Sequence, residues 1–341
     1  MLTRALVPLA LAWSAVLAWP VAQAQAPTVP VVAPNQLRAW LLRIHNAASH
    51  HNFQGTFVVS GGGGVASARI SHFYEGPNQY ERIESMDGRQ RKVFRYNDVV
   101  HTVWPASHVA MIEQRGLLSS FPALLQAGDD GLDEWYDGQL EALDRVAGHE
   151  ANVLSVRAKD GHRYGYRLWA DRASGLLLRA DVIGEHGEVL ETSAFSDVSI
   201  GVRPQTETVL QAMRRLDGFL VVRPVFTPTR LDAEGWTMRQ VAPGFKLVRC
   251  VSRQIEPPGE ASGAGPAAPS VIQTIYSDGL TYVSVFIEPY RADRHVRPMF
   301  ASLGATSTLS LRQGDWWVTA VGDVPPATLK IFAGALERRK P

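Results

Sequence analysis

The sequence predicts a mainly β protein with added helices, an α+β chain. It would hold a large, strongly curved antiparallel sheet, then a smaller antiparallel sheet with a terminal helix. Three observations carry this. Apolar residues alternate with period two along most of the chain, and 29 Gly and 21 Pro punctuate the alternation at short intervals. Helical periodicity is confined to a few short stretches. A length of 341 residues fits two domains at roughly 100–200 residues each.

The first 26 residues stand outside the fold. Arg4 precedes the uncharged, mostly apolar run Ala5–Trp19. The small-x-small sites Ala22-Gln23-Ala24 and Ala24-Gln25-Ala26 follow. This pattern reads as a secretory signal peptide, cleaved near Ala24 or Ala26. The run falls short of the ~20 residues a spanning helix uses.

Next, Leu37, Trp40, Leu41, Ile44 and Ala48 form one apolar helical stripe, ending near His50-His51-Asn52. From Phe53 the period becomes two. A hairpin with the Gly61–Gly64 tip opens a meander with turns at Met86-Asp87-Gly88 and Tyr96-Asn97-Asp98. Ser119–Ala127 and Leu132–Leu143 are short helical candidates. Strands resume from His149 to Gly201, with turns at Lys159-Asp160-Gly161 and Ser174-Gly175. About ten sequential strands with short turns argue for one curved sheet, with the Trp40 helix available to fill its concave side.

Near residue 204 the pattern breaks, with a short helix expected before Gly218. Residues 219–231 contain Pro224 and Pro228, lack periodicity and read as a linker between a domain at 27–218 and a second at 232–341. The second domain has two strands within 236–254, the low-complexity loop Glu256–Pro269, and hairpins around Asp278-Gly279 and Gly314-Asp315. After Pro325-Pro326, Leu329, Phe332, Ala333 and Leu336 form a helical stripe.

Charge excludes some functions. Removing Arg4 leaves 33 basic and 33 acidic residues, so no net basic footprint for nucleic acid exists. The single cysteine, Cys250, lies in a strand pattern, so it forms no intrachain disulfide and no lipid anchor at a mature N-terminus. No nucleophile elbow, H-E-x-x-H or P-loop appears. His45, His50 and His51 cluster at a helix end and read as structural or exposed, the other reading being a weak metal or pH-sensing site, and the six scattered histidines from His72 to His186 match no ligand spacing. The carboxylate pairs Asp129-Asp130 and Asp133-Glu134 read as a solvated face. The chain is read as a non-enzyme with no metal and no cofactor.

The positive signal is a curved sheet with an apolar concave face able to hold an acyl chain. Its candidate lining is Phe57, Val59, Phe73, Val93, Val103, Tyr166, Leu168, Leu178 and Val182.

Five phrases in order carry a resemblance: Phe53–Ser60 (FQGTFVVS), Arg163–Gly201, Ala242–Val248 (APGFKLV), Tyr276–Pro289 (YSDGLTYVSVFIEP) and Gly314–Leu336. The chain resembles the periplasmic regulators of the RseB/MucB family, which control the envelope-stress sigma factor sigma-E, or AlgU. At Gly322-Asp323-Val324-Pro325 it has Asp where family members often have Glu. The resemblance implies an unclosed N-terminal β-barrel similar to the lipoprotein carriers LolA and LolB, with helices on the concave side. It implies a smaller C-terminal domain that binds the periplasmic part of a membrane anti-sigma factor of RseA/MucA type. That binding would shield the partner from a DegS-type site-1 protease, and lipid or lipopolysaccharide would release it. Tyr276, Tyr282, Phe286, Trp316 and Trp317 are the expected partner-facing residues. Strand addition to an open sheet edge is one physical route. The other reading is a periplasmic lipid or lipoprotein carrier without a regulatory partner. A homodimer stays open.

Overall fold

A computed structural model of the chain describes residues 31–32, 34–114, 131–254 and 270–339. The expected signal peptide Met1–Ala26, the helical candidate Ser119–Ala127, the pair Asp129-Asp130 and the loop Glu256–Pro269 lie outside them.

The larger sheet has 14 strands among the described residues and runs from edge to edge without closing. From one edge the order is Val31–Val32, Tyr136–Leu140, His149–Ala158, Gly165–Asp171, Leu177–Ile183 and Val189–Ile200. It continues through Phe53–Gly61, Gly64–Glu75, Asn78–Ser85, Lys92–Tyr96, Val99–Trp104, Val109–Gln114 and Leu220–Val222. Asp144–Val146 pairs at the side with His149–Ala158. All these pairings are antiparallel except Leu220–Val222, which runs parallel to Val109–Met111.

Helix α1 (Pro34–His50) has its stripe where expected. Leu37, Leu41 and Ile44 are buried against Leu154, Val156, Tyr166 and Leu168. Each such side chain contributes roughly 1.5–3 kcal/mol, so packing rather than propensity holds the helix. Helix α2 is a single turn, Leu132–Trp135. Helix α3 (Thr206–Arg214) buries Val209 and Met213 among Phe73, Tyr80, Phe94 and Val103.

The smaller sheet has the order Phe226–Pro228, Lys246–Gln254, Ser270–Ser277, Tyr282–Pro289, Trp316–Gly322, Thr306–Gln313, Met299–Leu303. Helix α4 (Pro326–Gly334) covers one face, with Leu329, Phe332 and Ala333 packed on Val283, Val285, Ile287, Val318 and Ala320.

Four local expectations change. Leu132–Leu143 is not one helix, because Tyr136–Leu140 becomes a strand paired with Leu154–Ala158. Gly138 lies so close to α1 that a Cβ there would stand 3.0 Å from Leu37. The segment 219–231 carries two short strands, Leu220–Val222 on the large sheet and Phe226–Pro228 on the small one. Three-residue strands are too short to show a period. Met299–Leu303 is an additional strand. Leu336 lies beyond α4 and opens Leu336–Arg338, paired with Trp236–Met238.

Candidate binding surfaces where the two sheets meet

The turn between Ser277 and Tyr282 joins the sheets. Asp278 Oδ1 accepts the amides of Leu280 and Thr281, both at 2.9 Å, and Ser277 Oγ donates to the Thr281 carbonyl at 2.7 Å. Gly279 sits at φ +96°, which an L side chain rarely adopts. This local bonding turns Asp278 Oδ2 toward the large sheet. It also buries Leu280 in the cluster of Leu37, Leu41 and Tyr166.

Oδ2 accepts Arg163 Nη1 at 2.7 Å and the Tyr136 hydroxyl at 2.9 Å. Both charged side chains are fully buried. Arg163 also bonds Asp160 through Nε and Nη2, and Nη2 donates to the Pro243 carbonyl. Its guanidinium stacks near Trp135, Phe245 and Tyr136, at 4.8, 5.2 and 5.6 Å from their ring centres. Burial pushes the Asp278 carboxyl above its ordinary range, against the two amides, Arg163 and Tyr136, which favour the ionised form. Thr328 Oγ1 donates to the His162 carbonyl at 2.9 Å, tying α4 into the same seam.

A second contact lies at the Gly62-Gly63 hairpin tip. A Cβ on Gly62 would fall 2.6 Å from the Gly304 amide, and one on Gly304 would fall 2.3 Å from Glu191 Oε2. A groove of about 500 Å3 runs beside this contact, with Val59 and Ala66 on one side and Ala301–Leu303 on the other.

The nine cavity candidates divide among separate parts of the large sheet. Tyr166, Leu168 and Val182 pack with α1. Phe57 and Leu178 pack with Trp169 and Phe195, and Val59 lies at that cluster's margin and in the groove. Phe73 and Val103 lie under α3. Val93 pairs across from Ile83 and stands outside these three clusters. A bulge explains Leu178. Trp169 pairs with Arg179 and Ala170 with Leu177, so Leu178 is the extra residue and the period restarts there.

Sequence reasoning missed a polar row on the Ile83 face, with His72 and Arg95 buried and Glu81 half-buried. His72, Glu81 and Arg95 stand opposite one another on three strands. Arg95 Nη1 lies 3.5 Å from Glu81 Oε2, and His72 Nδ1 donates to the His51 carbonyl at 2.9 Å. Burial lowers the His72 imidazole below its ordinary value.

The five partner candidates also divide. Tyr276 is core, against Phe332. Trp316 packs on the α4 side, edge-on to Trp236 at 5.4 Å. Trp317 lies on the opposite face, stacked on His295 at 4.8 Å. Phe286 shares that outer face under the Arg253 guanidinium. Tyr282 is exposed at the seam, near Asp323 and Tyr166. The sequence reading named Asp278 only as a turn residue and gave Arg163 and Leu280 no role, although all three stand inside the phrases that carry the resemblance.

Among the described residues, no group of three His, Cys, Asp or Glu could hold a metal ion. No described helix is long and apolar enough to cross a membrane.

Two family models match in order. One, described as the MucB/RseB N-terminal domain, covers residues 36–213, and the other, the MucB/RseB C-terminal domain, covers 230–337. The chain belongs to the MucB/RseB family. Within the family it is 31% identical to the sigma factor AlgU regulatory protein MucB of Pseudomonas aeruginosa, over 89% of this chain and 92% of that one. It is 25% identical to the sigma-E factor regulatory protein RseB of Escherichia coli, over 86% and 88% respectively. Solved MucB structures share the fold. A crystal structure of MucB in complex with MucA(peri) matches at TM-score 0.63 and 30% identity, covering 89% of this chain and 99% of that one. The Pseudomonas aeruginosa MucA/MucB complex matches at TM-score 0.65 and 29% identity, with the same coverage.

Proposed function

We propose that the chain is a periplasmic regulator of a sigma-E-type stress response. It binds the periplasmic domain of a membrane anti-sigma factor of MucA/RseA type and shields that domain from site-1 proteolysis. The observation that carries this is the match over both domains to a chain crystallised with MucA(peri). The relatives with matching length are regulatory proteins by name, which supports binding rather than catalysis.

Acyl lipid on the Ile83–Val93 face of the large sheet would favour a state with lower partner affinity. Such gating requires unequal lipid affinity for the two states. The row His72–Glu81–Arg95 beside those apolar residues supplies polar groups next to an apolar wall, a composition suited to a lipid with a charged head.

The test is cleavage of MucA(peri) by a DegS-type protease. Added full-length chain slows cleavage, and lipopolysaccharide restores it. Cleavage at an unchanged rate in the presence of excess chain contradicts the shielding role.

A further inference from the structure

We infer that the open edge of the small sheet, Met299–Leu303, captures an extended polypeptide of alternating apolar and acidic residues as an added strand, with Arg294 and Arg297 reading its charge. The inference rests on the partner-binding reading above and assigns it a place and a chemistry.

Met299–Leu303 is the last strand of its sheet, and it pairs only with Thr306–Gln313 among the described residues. Every residue in it is exposed. The two-residue Gly304-Ala305 turn makes Leu303–Thr306 a hydrogen-bonded pair. Bonded and unbonded pairs alternate in an antiparallel ladder, so the amide and carbonyl of Phe300 and Ser302 face the open side. The Ser302–Ser307 hydroxyl contact of 2.9 Å fits an unbonded pair, where side chains approach most closely.

Natural edges are blunted by charge, proline or bulges. This one reads Met-Phe-Ala-Ser-Leu, with no charge, no proline and an unbroken register. Met299 and Leu303 are 50% and 70% exposed, and Val296 just before the strand is 84% exposed. A solvated edge of this composition fits an apolar partner strand.

The charge beside the edge points to an acidic partner. Arg291–Phe300 holds three arginines and one aspartate, a net of +2. Asp293 is engaged by Arg291 at 2.8 Å, whereas Arg294 and Arg297 are exposed. The loop carrying them is fixed. Buried His295 stacks on Trp317, and its Nδ1 accepts the Arg291 amide at 2.9 Å. The large sheet sets the end of the added strand, because the Gly62 tip abuts Leu303 and Gly304.

The experiment titrates full-length protein with MucA(peri) and follows amide hydrogen exchange in the complex. Three variants are compared: Ser302→Pro, which removes one outward amide and leaves the backbone bonds of the hairpin intact, Arg294→Glu/Arg297→Glu, and the exposed Arg145→Glu as a charge control on Asp144–Val146, at the side of the large sheet. The expected result is protection of the Phe300 and Ser302 amides, at least tenfold weaker binding for the first two variants, and unchanged binding for the third. Wild-type binding with no protection there, and with both edge variants within twofold at unchanged melting temperature, overturns the edge assignment alone. No binding by the wild type overturns both the edge assignment and the reading beneath it.

Discussion

Arg163 Nη1 lies 2.7 Å from Asp278 Oδ2, with neither side chain exposed, and the two residues lie in turns that lead into strands of different sheets. Breaking a buried pair leaves one charge without its counter-ion and costs about 3–5 kcal/mol. Arg163→Ala should lower the unfolding free energy by that amount in a urea titration. Arg163→Met/Asp278→Leu should recover part of it, because no lone charge remains. A loss under 1 kcal/mol for Arg163→Ala would show that the seam is held elsewhere.

Leu280 reaches from the small sheet into the α1 cluster of the large one. Leu280→Ala removes this apolar coupling and leaves a void, at a cost of about 2–5 kcal/mol. Calorimetry should show the wild type unfolding in one transition and the variant in two, as the sheets uncouple.

Gly244 sits at φ +80°, and a Cβ there would stand 2.6 Å from the Trp135 ring. Gly244→Ala therefore combines backbone strain with a clash against an indole stacked on Arg163. A loss of about 1–3 kcal/mol is expected, with a change in near-ultraviolet circular dichroism from Trp135. An unchanged spectrum and melting temperature would contradict the packing described.

Burial holds the His72 imidazole below its ordinary value of 6.5, and Arg95 and His50 act in the same direction, against Glu81 and the His51 carbonyl. The unfolded chain thus takes up the proton first. The stability contribution is present above pH 6.5 and is lost as pH falls through the lower folded value. His72→Phe keeps the stack on Phe53 and removes the titration. Its melting temperature should fall less steeply than the wild type's from pH 7 toward pH 5. Parallel curves would exclude His72 as a source of the acid sensitivity.

Elements whose own residues decide their structure were legible in the sequence. The α1 stripe, the Gly62-Gly63 tip, the Gly279 and Gly314 turns and the α4 stripe each have a local cause. What was hidden depends on distant partners. Tyr136–Leu140 looked helical, yet the main chain of Leu154–Ala158 recruits it as a strand. Leu178 follows the period in sequence but is the extra residue of a bulge that only the facing strand reveals. Asp278-Gly279 reads as an ordinary hairpin turn. Its carboxylate joins the two sheets only because Arg163, 115 residues earlier, is buried against it.

The central claim is tested most directly by calorimetric titration of the chain with MucA(peri). The account predicts saturable binding with a Kd of roughly 1 μM or tighter, about −8 kcal/mol. Absence of binding, for a chain shown to be folded by a cooperative melt, would contradict it.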